Sequence, residues 1–211
     1  MFEIEYKGGN AVVISTKKSK LVIDPKLSVV GLKDLSAKDA IELATEERLA
    51  VYDKDAVLVI DSPGEYGIGG FDIKGIAAQR HIDAETLPFA STIYRIETGD
   101  TRIGVIGNIF VNLSDEQLEE LGLLDILIIP VGGNGYTLDA TDAAKLIRKI
   151  DPKIVIPIHY ADKGLKYEVP QDDVSTLIAD LGVPVEVMQK YKQKQAPVTP
   201  SAMSIVQLER C

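Results

Sequence analysis

The chain has 211 residues, 45% of them apolar and 26% charged, enough for one domain with a large core and ordinary for a soluble protein. A formal net charge of −9 and a pI near 4.8 argue against a nucleic-acid backbone or an anionic membrane as partner, and the one basic cluster, KYKQKQ at 190–195, reads as a solvated face. No run of 18 apolar residues occurs, Met1 leads straight into a strand pattern, and the single cysteine is Cys211; a cytoplasmic protein without disulfides or cysteine-based zinc is expected.

In chain order, strand patterns fall at 2–6 (FEIEY), 11–16, 20–24, 56–60 (AVLVI), 71–78, 91–97 (STIYRIE), 102–107, 125–131, 153–160, 185–188 and 204–209. FEIEY and STIYRIE alternate, which predicts half-buried antiparallel strands. AVLVI, ILIIPV and IVIPI are continuously apolar, which predicts cover on both faces. Helices are predicted over 36–52, with Ser36 as cap, and over 114–121, where Ser114 and Gln117 have capping-box spacing. Two more are predicted over 138–150, stopping at Asp151-Pro152, and over 170–182, closing on Gly182. QAPVTPS at 195–201 reads as a loop. Together these patterns predict a single domain, 1–211, with sheet inside and helices outside.

Sites in covered sheets gather just beyond strand ends. Four such loops stand out. The stretch DSPGEYGIGG at 61–70 carries Asp61 and Glu65 in a glycine-rich turn; QRHID at 79–83 carries His81 and Asp83. VIGNIF at 106–111 holds Gly107-Asn108, and IVIPIHY at 154–160 ends a buried strand on His159. ILIIPVGGNGY ends similarly on Gly132 and Gly133. The glycines at 64, 67, 69 and 70 match neither a P-loop nor a dinucleotide fingerprint, because no Lys-Ser/Thr follows and FDIKG reads as strand.

The run DEQLEELGLLDILIIPVGGNGYTLDATDAAKLIRKIDPKIVIPIHY, together with FEIEYKGGNAVVIST and KLVIDP, resembles the metallo-β-lactamase superfamily of zinc-dependent hydrolases. It is most similar to the branch of ascorbate-phosphate lactonase-like proteins. The resemblance implies an α/β (α+β) fold, a four-layer αββα sandwich with a metal site among loops at one edge of two sheets. The family's Thr-His-x-His-x-Asp-His, laid without gaps, falls on Ile60 to Tyr66, so its histidines become Asp61, Pro63 and Tyr66 and its aspartate becomes Glu65. His81 and His159 stand where the family keeps histidines. Asn108 stands at the bridging aspartate, and Asn10 at the histidine of an early Gly-His pair.

A catalytic zinc generally takes three protein ligands, and a zinc pair needs more. The replacements leave neither site of a pair complete, so the expected protein has lost dinuclear hydrolysis and serves as a binding or scaffolding protein. A second reading merges Asp61, Glu65, His81 and His159 around one Zn²⁺ or other divalent transition metal. That site would act on a small ester, lactone or phosphorylated metabolite. A third is metal-free acid–base catalysis by Glu65 and His159, with Tyr66, Asn108, Gly132 and Gly133 lining the cleft. No cofactor is demanded by the first reading or the third. The partner would be a small molecule or a protein, and self-association is expected by analogy with the lactonase-like proteins.

Overall fold

The structure, a computed structural model, describes residues 1–81, 90–193 and 202–211. Asp83, Lys194 and the 195–201 loop read from the sequence lie outside them. Strands β1 (Phe2–Gly8), β2 (Ala11–Thr16), β3 (Lys20–Ile23), β4 (Ile41–Leu43), β5 (Leu58–Ile60) and β13 (Tyr191–Gln193) form one sheet, in the order β13-β1-β2-β3-β4-β5. The second sheet contains β6 (Gly64–Ile68), β7 (Phe71–Ala78), β8 (Ser91–Thr98), β9 (Thr101–Val105), β10 (Ile126–Pro130), β11 (Ile154–Ile158), β12 (Val185–Met188) and β14 (Ser204–Leu208). Its order is β12-β14-β11-β10-β9-β8-β7-β6, an antiparallel meander that turns parallel from β9 onward.

Period-2 patterning explains how the sheets pack. Buried Phe2, Ile4 and Tyr6 alternate with half-buried Glu3 and Glu5 along β1, so one face of the first sheet is apolar. That face meets Ile126, Ile128, Ile154, Ile156 and Ile158 of the second sheet in one cluster. The intervening residues Leu127, Ile129 and Val155 face a second cluster with the helices. Strands β10 and β11 are therefore buried at every position, as their continuous apolar runs require. The third such run behaves differently: β5 is the edge of its sheet, and Leu58 and Val59 are only half-buried.

Helices α1 (Asp115–Leu121), α2 (Ala140–Ile150) and α3 (Val174–Leu181) pack over the second sheet. The Ser114/Gln117 capping box forms, with Ser114 Oγ accepting from Gln117 N and Gln117 Oε1 accepting from Ser114 N. In α2, Asp139 caps the start, Ala143, Ala144, Ile147 and Ile150 face the core, and Asp151 ends the helix at φ 54° before Pro152. Gly182 ends α3 at φ 63°.

The segment 36–52 is not a helix. It contains a turn, the strand β4 and a 3₁₀ turn Glu47–Leu49. Ile41 and Leu43 are buried between β3 and β5, and the fully buried Glu42 carboxylate accepts from the N–H groups of Val51, Tyr52 and Asp53. Sheet pairing and one buried carboxylate outweigh helix propensity there. The outer face of the first sheet is consequently covered by irregular chain and the 3₁₀ turn Leu27–Val30, through the clusters around Ala11, Leu27 and Val30 and around Val13, Val22 and Ala37.

Candidate functional site

Within the stretch 61–70, Gly64–Ile68 form the strand β6 and Gly69-Gly70 its turn to β7. Ile68 pairs with Phe71 across Gly69 (φ 64°) and Gly70 (φ 84°), a two-residue turn that requires positive φ at both positions. Side chains of β6 therefore alternate. Glu65 is exposed opposite Lys74, while Tyr66 packs against the core and donates its hydroxyl hydrogen to Ser62 O at 3.2 Å. Asp61 accepts from the Tyr52 hydroxyl at 2.8 Å, a bond that pushes the Tyr52 phenol up to about 12.

His81 lies just past β7, its N–H bonded to Asn108 O at 2.8 Å and its ring 6.4 Å from Phe110. His159 lies just past β11 at φ 50°, with only 4% of its surface exposed. The four-residue set Asp61, Glu65, His81 and His159 is not brought together: among the described residues, no three His, Cys, Asp or Glu side chains form a group that could hold a metal ion. The strand geometry of β6 is the cause, since it turns Glu65 to solvent. In the acid–base reading, Glu65 is exposed while His159 is buried among Tyr6, Asn10, Tyr136 and Tyr167.

What does assemble is a polar chain at one edge of both sheets. His159 N donates to the Tyr6 hydroxyl at 3.3 Å, and His159 Nδ1 bonds Asn10 Oδ1. Asn10 Nδ2 donates to Asn108 Oδ1 at 3.2 Å, and Asn108 Nδ2 donates to Glu46 Oε1 at 2.8 Å. Glu46 Oε2 then accepts from Arg48 Nε at 2.7 Å and Arg80 Nη1 at 3.2 Å. Asn10, Glu46 and Asn108 are all buried. Tyr6, Asn10, Glu46 and Arg48 come from the first sheet and its loops. Arg80, Asn108 and His159 follow strands of the second.

Aromatic rings hold the two ends. The His159 ring is stacked on Tyr167 at 5.1 Å, and Tyr136 is tilted against it at 5.4 Å. The Arg48 guanidinium sits over the Tyr136 ring at 4.7 Å. Burial, with the nearby Arg48 charge second, lowers His159 to about 3, so its imidazole is neutral at pH 7. Beneath the chain, Asp24 accepts from Thr45 N and Thr45 Oγ, both at 2.7 Å. Burial raises Asp24 to about 7 against the pull of those two bonds.

Two glycine positions make this packing possible. A Cβ at Gly107 would stand 2.7 Å from Thr45 Cβ, so a side chain there would push Asn108 out of reach of Glu46. A Cβ at Gly132 would collide with His159 O and the Gln171 side chain, so Gly132 lets the end of β10 close over His159. Gly133 (φ 70°) completes that turn through its N–H to Leu138 O. Of the expected cleft-lining residues, Asn108, Gly132 and Gly133 thus lie with His159, and Tyr66 does not. The crevice beside His159, between Tyr136, Tyr167 and Glu168, has a volume of only about 10 Å³.

These groups do not suit a zinc ion. With Nδ1 engaged by Asn10, His159 has one ring nitrogen to offer, the two amides are weak neutral donors, and the one carboxylate at the centre carries two guanidiniums, which leaves fewer than three good ligands. Glu46, Arg48 and Arg80 were not apparent as site residues in the sequence. The first two fall within the stretch that reads as a helix, and Arg80 was overshadowed by the adjacent His81.

Comparison with known proteins matches this frame. Residues 3–159 match the β-lactamase superfamily domain. A UPF0173 metal-dependent hydrolase of Thermococcus onnurineus is 30% identical over 136 residues, covering 58% of this chain and 60% of that protein. Another, from Nanoarchaeum equitans, is 26% identical over 181 residues, covering 75% of this chain and 83% of its own length. Among solved structures, a Thermotoga maritima protein described as a zinc-dependent hydrolase of the metallo-β-lactamase superfamily superposes with a TM-score of 0.75. It has 22% identity and covers 99% of this chain and all of its own. Igni18, a metallo hydrolase from Ignicoccus hospitalis, gives a TM-score of 0.63 at 18% identity, over 86% of this chain and 90% of its own. Two facing sheets, a polar centre at their shared edge and a match over residues 3–159 agree: the chain belongs to the β-lactamase superfamily and has the metallo-β-lactamase fold.

Proposed function

We propose that this chain keeps the superfamily's fold without its dinuclear zinc hydrolysis and works as a binding or scaffolding protein. One observation carries the reading. Asn108 and His159, two strand-end positions where the family resemblance implies metal ligands, are joined through Asn10, and Asn108 is bonded on to Glu46. The His159 ring, stacked on Tyr167 with Tyr136 tilted against it, reaches a substrate or an ion only if the crevice opens. The partner is a small molecule or a protein, a second copy of the chain included.

The relatives' description as metal-dependent hydrolases favours the other reading, hydrolysis with a bound ion. Elemental mass spectrometry separates the two, on protein purified without chelator or tag-derived metal and then incubated with Zn²⁺ and Mn²⁺. The proposal expects no stoichiometric metal. About one equivalent of a transition metal, lost in a His81→Ala/His159→Ala variant, would overturn it and return the chain to its relatives' activity.

A further inference from the structure

Glu46 is a carboxylate at the polar edge between two sheets with 1% of its side chain exposed. A charge so placed persists only with a cation beside it. Here two cations come from opposite directions. Arg48 is in the 3₁₀ turn that follows β4 of the first sheet, and Arg80 lies just past β7 of the second. Asn108, which the resemblance sets at the position of a metal-bridging aspartate, donates to the same carboxylate.

We propose that Glu46 marks a cation site whose resident cations are the guanidiniums of Arg48 and Arg80, in place of metal ions, and that these join the two sheets. A free cation and the two side chains then compete for one place. With the arginines removed, the donors left are the Glu46 carboxylate oxygens and, after rotation of its amide, Asn108 Oδ1. These are hard oxygen ligands, which favour Mn²⁺ completed by water over zinc, at the cost of the Asn10 bond to Asn108. The inference rests on the reading that the native chain is metal-free, and the wild-type metal content above tests that reading separately.

The positions differ in what they tolerate. Arg48 is stacked on Tyr136 and holds Glu46 mainly through Nε, so lysine at 48 keeps the charge but loses the stacked plane. The test uses the full chain carrying Arg48→Ala, Arg80→Ala, both together, or Arg48→Lys. Thermal midpoints are followed with methylguanidinium chloride or MnCl₂ added to ~20 mM, against NaCl at matched ionic strength. Mn²⁺ binding is read by electron paramagnetic resonance.

The expected result has three parts. Each alanine variant melts lower than the wild type and regains part of the loss with methylguanidinium but not with NaCl. Arg48→Lys melts between the wild type and Arg48→Ala. The double variant binds Mn²⁺ at least about tenfold more tightly than the wild type. Alanine variants that melt as the wild type does, or that stay destabilised in both cations, would overturn the proposal. If the double variant fails to fold, the single variants and their recovery by added cation decide it.

Discussion

The strand-end centre and the β6 hairpin contrast sharply in burial and chemistry. The family motif, carried across by resemblance, falls on the hairpin, yet there Glu65 points to solvent and two glycines close the turn. The polar chain from His159 to Arg80 is bonded in sequence, and its members Asn10, Glu46, Asn108 and His159 are buried. A carboxylate in a glycine-rich stretch is thus no guide to a site when the stretch forms an edge strand. A carboxylate that receives three donors at the junction of two sheets has energetic consequences wherever its sequence comes from.

The largest expected effect tests that contrast directly. Glu46→Ala leaves two guanidiniums and the Asn108 amide without their acceptor and should cost about 3–5 kcal/mol in urea unfolding. Glu65→Ala on the hairpin should stay within about 0.5 kcal/mol. Similar losses at both positions would erase the distinction.

Next comes the pH dependence. His159 is lowered to about 3 from an ordinary 6.5, so the folded chain binds fewer protons than the unfolded one between these values, and stability falls as pH drops through that window. Asp24 is raised to about 7 from 3.8, so the folded chain holds an extra proton there, and stability falls as pH rises across that range. Each term is on the order of 4 kcal/mol, and the two oppose each other over most of their range. The wild type should therefore change little in stability between pH 4 and 6.5, whereas His159→Gln should expose the Asp24 term and lose stability steadily as pH rises. Unfolding midpoints at pH 4, 5.5 and 7 for both proteins check this. A flat profile in His159→Gln would contradict it.

The smallest effect sharpens the hairpin side. At Gly70 (φ 84°) no atom lies within 4 Å of an added Cβ, so Gly70→Ala should lose only the conformational preference, about 1 kcal/mol. At Gly69 an added Cβ would also meet Ser19 Cβ at 2.8 Å, so Gly69→Ala should cost more, about 2 kcal/mol. Equal losses would mean that the turn is not held against the β2–β3 corner. The two variants compared by urea unfolding give the answer.

Much of the frame was legible because its signals are local. The buried runs of β10 and β11, the Ser114/Gln117 box and the Gly182 stop each act within a few residues, and each appears as read. Within the site, His159, Asn108, Gly132 and Gly133 were legible from their place at strand ends, and Asn10 through the family resemblance. Misreadings came where distant contacts decide. The 36–52 segment has helix-like composition, but Ile41 and Leu43 gain more by completing a sheet between β3 and β5. The Gly-Gly pair at 69–70 could have been recognised as a two-residue hairpin turn, which would have revealed β6.

By itself, then, the amino-acid sequence determined most of the strands, the three helices with the Ser114 and Gly182 caps, the acidic character and, through its likeness to a family, the fold. Tertiary structure alone decided which polar groups meet. Glu46 and Arg80 are 34 residues apart, and Asn10 and His159 are 149 apart. Hydrogen bonds over such separations leave no periodicity in the chain. They exist because two apolar sheet faces pack together and leave their strand ends side by side, where Asn10, Glu46 and Asn108 find partners across the two sheets.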